Sequence, residues 1–228
     1  MAQTHHDVSD RIRVRRGPAK GRYDRASIDD VLGRGLVAHV AFFDGREPCC
    51  IPMLYAHLGD KVYIHGSTAS RAIRALAGGA AACVTVTIVH ALVLARSAFE
   101  HSANYDAVMA FGTFEPIDDD TERLAAFEAF TEKLLPGRWA EVRRPNAQEL
   151  KATAILAMKI DEASAKIRTG PPDDDDSPDA ERETWAGIVP IVSSFGTPVP
   201  SPGLRPGIPL ARSVQELIAT SPQPPATP

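Results

Sequence analysis

The sequence predicts a mainly β protein with peripheral helices (α+β), built as a closed or nearly closed antiparallel barrel. From Leu36 to about Gly112, short segments rich in Val, Ile and aromatic residues alternate with compact turns. These turns allow three consecutive antiparallel pairings with few long crossovers. A doubly wound sheet would instead alternate its strands with crossover helices, so the barrel is the favoured architecture.

The segments before the barrel are an arm and a helix. Residues 1–21 are polar and basic and are predicted to be mobile. Ser27–Leu32 has the pattern of a short helix, with Ser27 as its N-cap. Gly33 or Gly35 then ends this helix, because glycine is favoured just beyond a helix C-terminus.

Two tight turns define the first barrel strands. Asp44-Gly45 lies between the segments Leu36–Phe43 and Glu47–Ala56, and this dipeptide is a strong hairpin signal. A second turn at Leu58-Gly59-Asp60 leads into a strand at Lys61–His65. The remaining predicted strands are Ala81–Ile88, Ala91–Arg96, Ala107–Ile117, Thr153–Ile160, Ser164–Thr169 and Trp185–Ile191.

Helical periodicity interrupts the strands at 70–77 and at Thr121–Leu135, and a further helical turn starts in Asn146–Lys151. The barrel domain is predicted to cover residues 22–192. The Pro-rich residues 193–228 are predicted to form an extended tail, which either wraps a neighbouring subunit or is disordered.

The composition limits the classes of function. Of the 228 residues, 44% are hydrophobic, which is enough for a substantial core. The formal net charge of -4 gives no reason to expect nucleic acid as a partner, and no apolar stretch reaches the roughly 20 residues that span a bilayer. His5, His6 and Asp7 stand where a secretory signal would need apolar residues, so a cytoplasmic protein is expected. Cys83 lies in an apolar run and is predicted to be a buried reduced thiol.

Residues 65–71, His-Gly-Ser-Thr-Ala-Ser-Arg, carry the strongest functional signal. They lie between an apolar, strand-like run and a helix-like segment. Backbone N–H groups at a helix start attract anions, and Ser67, Ser70 and Arg71 add hydroxyl groups and a cation for a phosphate. The alternative is an ordinary helix cap beside a solvated arginine. The local pattern leaves both interpretations open.

Other segments are weaker candidates for a ligand site. The polar residues 101–106, before a strand, suit the edge of a flat ligand or simply cap local turns. Ile51–Tyr55 forms either an apolar wall for that ligand or an ordinary core strand. Lys166 and Arg168 share one face of a late strand and point at a phosphate or at water.

Motifs of metal and nucleophilic chemistry are missing from the sequence. None of the five histidines outside the N-terminal arm has a metal-ligand spacing, and neither Cys-x-x-Cys nor His-Glu-x-x-His occurs. A Gly-x-Ser-x-Gly elbow, a Walker loop and Gly-x-Gly-x-x-Gly are absent as well. We therefore expect no metal site and no catalytic side chain.

The order of the segments resembles one family. Over about residues 22–191 the chain is similar to the flavin-nucleotide-binding split β-barrels related to pyridoxamine 5'-phosphate oxidase, particularly the branch that contains nitroimidazole-resistance proteins. The His-Gly-Ser motif with its following Ser-Arg pair is the most specific element. The matching segments are IPMLYA at 51–56, YIHGSTASR at 63–71, CVTVT at 83–87, LVLARSAFEHSANY at 92–105, PGRW at 136–139 and KIRTGPP at 166–172.

The resemblance implies a split-barrel homodimer with flavin mononucleotide (FMN) at the subunit interface. The implied phosphate ligands are Ser67, Ser70 and Arg71, the implied neighbours of the isoalloxazine ring are Met53, Leu54 and Tyr55, and the implied polar contacts are His65, Ser102 and Asn104. A cation near the pyrimidine end of the ring would stabilise the reduced flavin, and Lys166 is the candidate.

An oxidoreductase acting on a small molecule is the expected function, because the flavin itself performs hydride or electron transfer. The alternatives are a non-catalytic flavin carrier or sensor, or a haem- or deazaflavin-binding member of the same fold. The chain departs from the family at Tyr105-Asp106-Ala107-Val108, where Tyr-Arg-Ser-Val is common. Asp106 is expected to repel a phosphate, so either Arg71 holds the phosphate with help from Lys166 or Arg168, or the affinity for flavin is reduced. No vitamin B6 chemistry is predicted.

Overall fold

Two antiparallel sheets and six α-helices make up residues 8–221, the part of the chain that this computed structural model describes. In chain order the elements are β1 (Gly21–Arg22), α1 (Arg25–Arg34), β2 (Val37–Phe43), β3 (Pro48–Leu54), β4 (Ala56–Leu58), β5 (Lys61–Ser67), α2 (Arg71–Ala77), β6 (Ala81–Leu94), β7 (Ser102–Thr113), β8 (Glu115–Pro116), α3 (Asp120–Leu134), α4 (Arg138–Glu141), α5 (Ala147–Ala152), β9 (Thr153–Lys159), β10 (Glu162–Arg168), β11 (Gly187–Pro190) and α6 (Arg212–Thr220). Within 8–221, none of the helices has the length and hydropathy needed to cross a bilayer.

The larger sheet has the order β1-β10-β7-β6-β2-β3, and β11 pairs with β6 beyond the end of β2. The smaller sheet has the order β4-β5-β9-β8. Neither sheet closes on itself, so the architecture is a split barrel, and the predicted fold class is confirmed. The apolar core fills the space between the sheets and against α1 and α2.

The first hairpin follows from its turn, as predicted. The Asp44 side chain accepts hydrogen bonds from the backbone N–H groups of Arg46 and Glu47, each at 3.0 Å. Gly45 has φ of 95°, a conformation that glycine adopts without a steric penalty. Strand β2 therefore pairs with β3 through seven consecutive residues, from Phe43 opposite Pro48 to Val37 opposite Leu54.

Strand β6 is longer than the sequence predicted. Two strands were expected, at Ala81–Ile88 and Ala91–Arg96, but one strand runs through both segments. The pairing with β7 shifts between Val89 and Ala91, so His90 is the extra residue of a β-bulge. The bulge interrupts the alternation of inward and outward side chains, and this interruption made the strand look like two.

Other boundaries also differ from the prediction. Strand β7 begins at Ser102, so residues 102–106 are strand and not a loop. Helix α1 is capped by Asp24, whose carboxylate accepts from the Ser27 backbone N–H at 2.9 Å, so the expected cap at Ser27 was wrong. Gly35, and not Gly33, follows the end of this helix. Cys83 is half-buried rather than fully buried.

The two terminal segments contact the barrel. Residues 1–7 of the predicted N-terminal arm lie outside the described residues, and further along this arm Ile12 is buried and the Ser9 hydroxyl donates to Glu162 at 2.7 Å. The predicted tail is extended up to residue 211, but helix α6 follows. The Ser213 backbone N–H donates to the Glu141 carboxylate at 3.0 Å, which holds α6 against α4.

A cluster of one aromatic and one cationic side chain joins α1 to the rest of the core. The Tyr55 hydroxyl donates to the Leu32 carbonyl at 2.6 Å, and the Lys133 ammonium donates to the same oxygen at 2.7 Å. Lys133 also lies 4.3 Å from the centre of the Tyr55 ring. Burial lowers the pKa of Lys133 to about 8. These contacts satisfy a carbonyl in the last turn of the helix, which has no partner within α1.

We predict that Gly35→Ala destabilises the protein, whereas Gly33→Ala does not. A methyl group on Gly35 would overlap the Val86 side chain and lie 2.9 Å from the Tyr55 hydroxyl, and overpacking of this kind costs about 1–3 kcal/mol. A methyl group on Gly33 meets no atom within 4 Å and replaces a helical glycine, a change worth up to about 1 kcal/mol in favour of folding. Urea unfolding of both variants tests this, and an equal loss of stability would contradict it.

Candidate functional site

The end of β5 and the start of α2 form the predicted phosphate cradle. The Ser67 hydroxyl accepts a hydrogen bond from the Ala69 N–H at 3.2 Å, and the Ser67 carbonyl accepts from the Ser70 N–H at 2.9 Å. Ser70 occupies the N-cap position, yet its side chain makes no capping hydrogen bond. The Ser70 hydroxyl is therefore uncommitted at the position where the helix begins.

Arg71 lies beside the turn between β2 and β3. Its guanidinium is 3.4 Å from the Asp44 carboxylate, 3.4 Å from Glu47 and 3.6 Å from the Cys49 sulfur, and its side chain is 65% exposed. The Asp44 side chain is 3% exposed, but Glu47 and the guanidinium itself are exposed and all these contacts are long, so the guanidinium is accessible to another anion. Asp44, Glu47 and Cys49 bring their ligand atoms within 4.8 Å of one another, but Arg71 already supplies a positive charge there.

His65 is held in an apolar environment. Its ring packs edge-on against the Phe130 ring, with the centroids 4.5 Å apart, and its Nδ1 atom is buried without a hydrogen-bond partner. Burial lowers the pKa of His65, so the ring is neutral near pH 7. A neutral imidazole at the end of β5 can exchange one hydrogen bond with a ligand without bringing a charge.

The predicted neighbours of the isoalloxazine ring differ in exposure. Leu54 is 39% exposed, Met53 is half-buried against the core, and Tyr55 is 1% exposed with its hydroxyl bound to Leu32. Leu54 is paired with Val37, so both side chains are on the outward face of the larger sheet. Of the three residues, Leu54 is the one most accessible to a ligand.

The second polar cluster is built into strands β7 and β10. Asn104 is buried, its side-chain oxygen accepts from the Arg168 guanidinium at 2.6 Å, and its NH₂ group donates to the Gly170 carbonyl at 3.1 Å. Arg168 is 6% exposed. Ser102 is exposed and Lys166 is half-buried. The expected help of Arg168 in phosphate binding is therefore wrong for this arrangement, because its guanidinium is committed inside the protein.

Asp106 does not face a ligand as an isolated charge. It is buried, and its Oδ2 atom lies 2.7 Å from an Arg34 nitrogen and 2.8 Å from His90 Nε2. The hydrogen bonds of Asp30 and Asp106 raise the pKa of Arg34. The expected repulsion of a phosphate by Asp106 is corrected by this ion pair. Arg34 and His90 were missed because they are 72 and 16 residues away in the sequence.

The structure thus arranges the seven predicted polar residues as two groups, apart from Met53, Leu54 and Tyr55 at the end of β3. His65, Ser67, Ser70 and Arg71 lie around the end of β5, whereas Ser102, Asn104 and Lys166 belong to β7 and β10. Within the described chain, no hydrogen bond or ion pair joins the groups. Three grooves of 330 to 400 Å³ open elsewhere on the surface, and none of the ten predicted cofactor-binding residues lines them. The predicted residues therefore lie outside these three grooves.

Residues 24–167 match the family model described as pyridoxamine 5'-phosphate oxidase, which covers more than half of the chain. The chain belongs to the pyridoxamine 5'-phosphate oxidase-like family. In this family it falls with the flavin-binding split barrels, as the order of its sequence motifs had indicated. No match was found among curated protein sequences.

Three solved structures of this pyridoxamine 5'-phosphate oxidase-like fold are informative. The flavocytochrome Anf3 from Azotobacter vinelandii is 36% identical, with a TM-score of 0.85, and the alignment covers 92% of this chain and 97% of that one. The FAD and haem binding protein from Mycobacterium smegmatis is 41% identical, with a TM-score of 0.82 and coverage of 87% and 97%. A 5-nitroimidazole antibiotic resistance protein from Bacteroides thetaiotaomicron, described as putative in its source, is 18% identical with a TM-score of 0.56, covers 64% and 86%, and shares the fold.

We predict that Asp106→Asn lowers the free energy of unfolding by about 1–3 kcal/mol, because a buried partner of Arg34 and His90 loses its charge. Asp30→Asn is the matched control. Asp30 and Asp106 each lie 2.7 Å from the same Arg34 nitrogen, but the Asp30 side chain is 59% exposed and that of Asp106 is 10% exposed. The exposed pair is expected to contribute far less. Equal losses in denaturant unfolding would show that burial does not set the strength of the pair.

Proposed function

We propose that this protein binds a flavin nucleotide and acts as an oxidoreductase of the pyridoxamine 5'-phosphate oxidase-like family. One observation carries the proposal. The chain spans nearly the whole length of two solved relatives at more than a third identity, and one is named a flavocytochrome and the other an FAD and haem binding protein. FMN is the form predicted from the sequence, and FAD is the form named for the second relative.

The residues around the start of α2 fit the phosphate end of a flavin. Ser70 offers an uncommitted hydroxyl, Ser67 offers a second one, and Arg71 offers an accessible guanidinium. A phosphate would compete with Asp44 and Glu47 for Arg71, and the long distances of those ion pairs favour the phosphate. We therefore keep Ser67, Ser70 and Arg71 as the proposed phosphate ligands.

The residues preceding and following this cradle suit the rest of the cofactor. Leu54 and Met53 provide apolar contact for a flat ring, and neutral His65 provides a hydrogen bond at its edge. Ser102 and Lys166 are proposed as polar contacts from the second group, whereas the Asn104 side chain is buried and bonded to Arg168 and Gly170. When bound, the flavin supplies hydride or electron transfer, and the chain binds it, orients it and limits the access of water.

A homodimer completes the proposed site. The outward positions of β3, β2, β7 and the first half of β6 carry no Asp, Glu, Lys or Arg. Exposed apolar residues on this face include Val37, Phe43, Leu54, Val89 and Met109. An uncharged, apolar sheet face of this extent is typical of the core of a subunit interface. Because Leu54 belongs to this face, a second copy packed on it would enclose the proposed ring position.

Haem is a second candidate ligand, and the geometry of His101 favours it. The Nδ1 atom of His101 lies 2.8 Å from the Ser97 carbonyl, so Nδ1 must donate and Nε2 is left with a free lone pair. Histidines that ligate metals commonly have their other nitrogen fixed in this way. Phe99, two residues earlier in the chain, is 85% exposed and offers an aromatic surface to a ligand.

The cofactor content of the purified protein tests the proposal. We expect flavin absorbance, and extraction followed by chromatography identifies FMN or FAD. A Soret band would add haem, and His101→Ala is then expected to shift or remove it. Bleaching of the flavin absorbance by a nicotinamide donor separates an oxidoreductase from a carrier. A protein without flavin absorbance that also fails to quench the fluorescence of added FMN and FAD would overturn the proposal.

We predict that Arg71→Ala weakens flavin binding about 10- to 160-fold, which corresponds to the roughly 1.5–3 kcal/mol of a charge-assisted contact to phosphate. Arg74→Ala is the matched control, since Arg74 is an exposed arginine in the last turn of the same helix. Titrations monitored by flavin fluorescence provide both dissociation constants. An unchanged affinity for Arg71→Ala would leave this arginine as a solvated residue beside a helix cap.

A further inference from the structure

Residues 191–211, here termed the C-terminal arm, connect β11 to α6 and are held at both ends. At the first end, Gly187–Pro190 pairs with β6, and the Ile191 N–H donates to the His90 carbonyl at 2.8 Å. At the other end, Ser213 is 3% exposed and bonds to Glu141 through both its N–H and its hydroxyl. The arm is therefore a connecting segment that is held at both ends, and not a free tail.

The arm has almost no core of its own. Apart from Pro198 and Ala211, its residues are exposed, and it contains neither strand nor helix. The large apolar side chains that it exposes, with their exposed fractions, are Ile191 (46%), Val192 (62%), Phe195 (57%), Val199 (89%), Leu204 (45%), Ile208 (45%) and Leu210 (45%). Apolar side chains at this density stabilise a chain only where a second surface covers them.

The alignment with the Azotobacter flavocytochrome leaves 8% of the 228 residues unmatched, which is about 18 residues and fewer than the 21 residues of the arm, so the alignment reaches into the arm. A Pro-rich segment without a core keeps a defined course when it has contacts that hold it.

We propose that the C-terminal arm lies on a second copy of this chain and extends the subunit interface. This inference rests on the homodimer of the proposed function. Its support is the continuity of the two surfaces. Beyond the bulge at His90, the outward face of β6 continues with Leu92, which is 46% exposed and paired with Val189, itself 41% exposed. The arm thus begins at the edge of the same apolar face.

The charge of the arm also fits this partner. Among residues 191–211, Arg205 is the one charged side chain, so the arm offers little to nucleic acid or to an acidic peptide. It matches instead the uncharged face formed by β3, β2, β6 and β7. In a two-fold dimer the contact occurs twice, because the arm of each subunit reaches the other subunit. Extended chain at about 3.1 Å per residue gives the arm a contour of roughly 65 Å, enough to cross an interface and return.

Photocrosslinking from Val199 tests where the arm lies. With p-benzoylphenylalanine in place of Val199, irradiation of the full-length protein is expected to give a product of twice the 24.5 kDa chain mass. The same group at Lys159, an exposed residue on β9 in the smaller sheet, is the matched control and is expected to leave the chain at its single mass. A dimer by sedimentation in which position 199 gives only uncrosslinked chain would overturn the proposal while leaving the dimer intact.

A second measurement tests how much the arm contributes to the affinity of the dimer. Val199→Asp is expected to weaken dimerisation at least tenfold in sedimentation equilibrium, whereas Thr121→Asp, at an exposed position in the first turn of α3, leaves it unchanged. Val199 is 89% exposed in one chain, so the substitution removes almost no packing within that chain. Equal dimer affinity for Val199→Asp and the parent protein would contradict the inference. A protein that is monomeric at every concentration would instead refute the homodimer itself.

Discussion

Backbone pairing along both edges of β6 is the interaction on which the rest of the larger sheet depends. Strand β7 pairs with one edge over almost the whole strand, while β2 and then β11 share the other edge. A buried N–H or carbonyl group without a partner costs about 1–3 kcal/mol, so these strands cannot shift independently along β6. The single strand thus fixes the relative positions of the first hairpin, the polar start of β7 and the origin of the C-terminal arm.

The inward face of β7 changes character along its length. Asn104 and Asp106 are buried and polar, while Val108 and Ala110 are buried and apolar. The polar pair is stable when buried because Arg34 of α1 balances the charge of Asp106 and Arg168 of β10 donates a hydrogen bond to Asn104. The Asp106 carboxylate is balanced inside the protein by Arg34 and His90, so it does not place a bare negative charge at the surface.

Local signals in the sequence were sufficient for most of the fold and for part of the site. The Asp44-Gly45 hairpin, the 15-residue helix α3 and the late strands follow from turn chemistry and periodicity, which act over a few residues. The bulge at His90 and the partners of Asp106 could not be predicted, because they depend on residues brought together by folding. For the same reason Arg71 was recognised as a cation, but its proximity to Glu47 was not foreseen.

The bulge at His90 shifts the alternation of inward and outward side chains by one residue within β6. Before it, Val84 and Val86 face the core, and after it Ala91 and Val93 do. Because His90 is the extra residue, a chain without it would pair regularly and keep Ala91 and Val93 inward, so this position tolerates the loss of one residue. Forcing His90 into regular pairing would instead exchange inside for outside along 91–94, turning Leu92 inward and separating the arm from the face on which it begins.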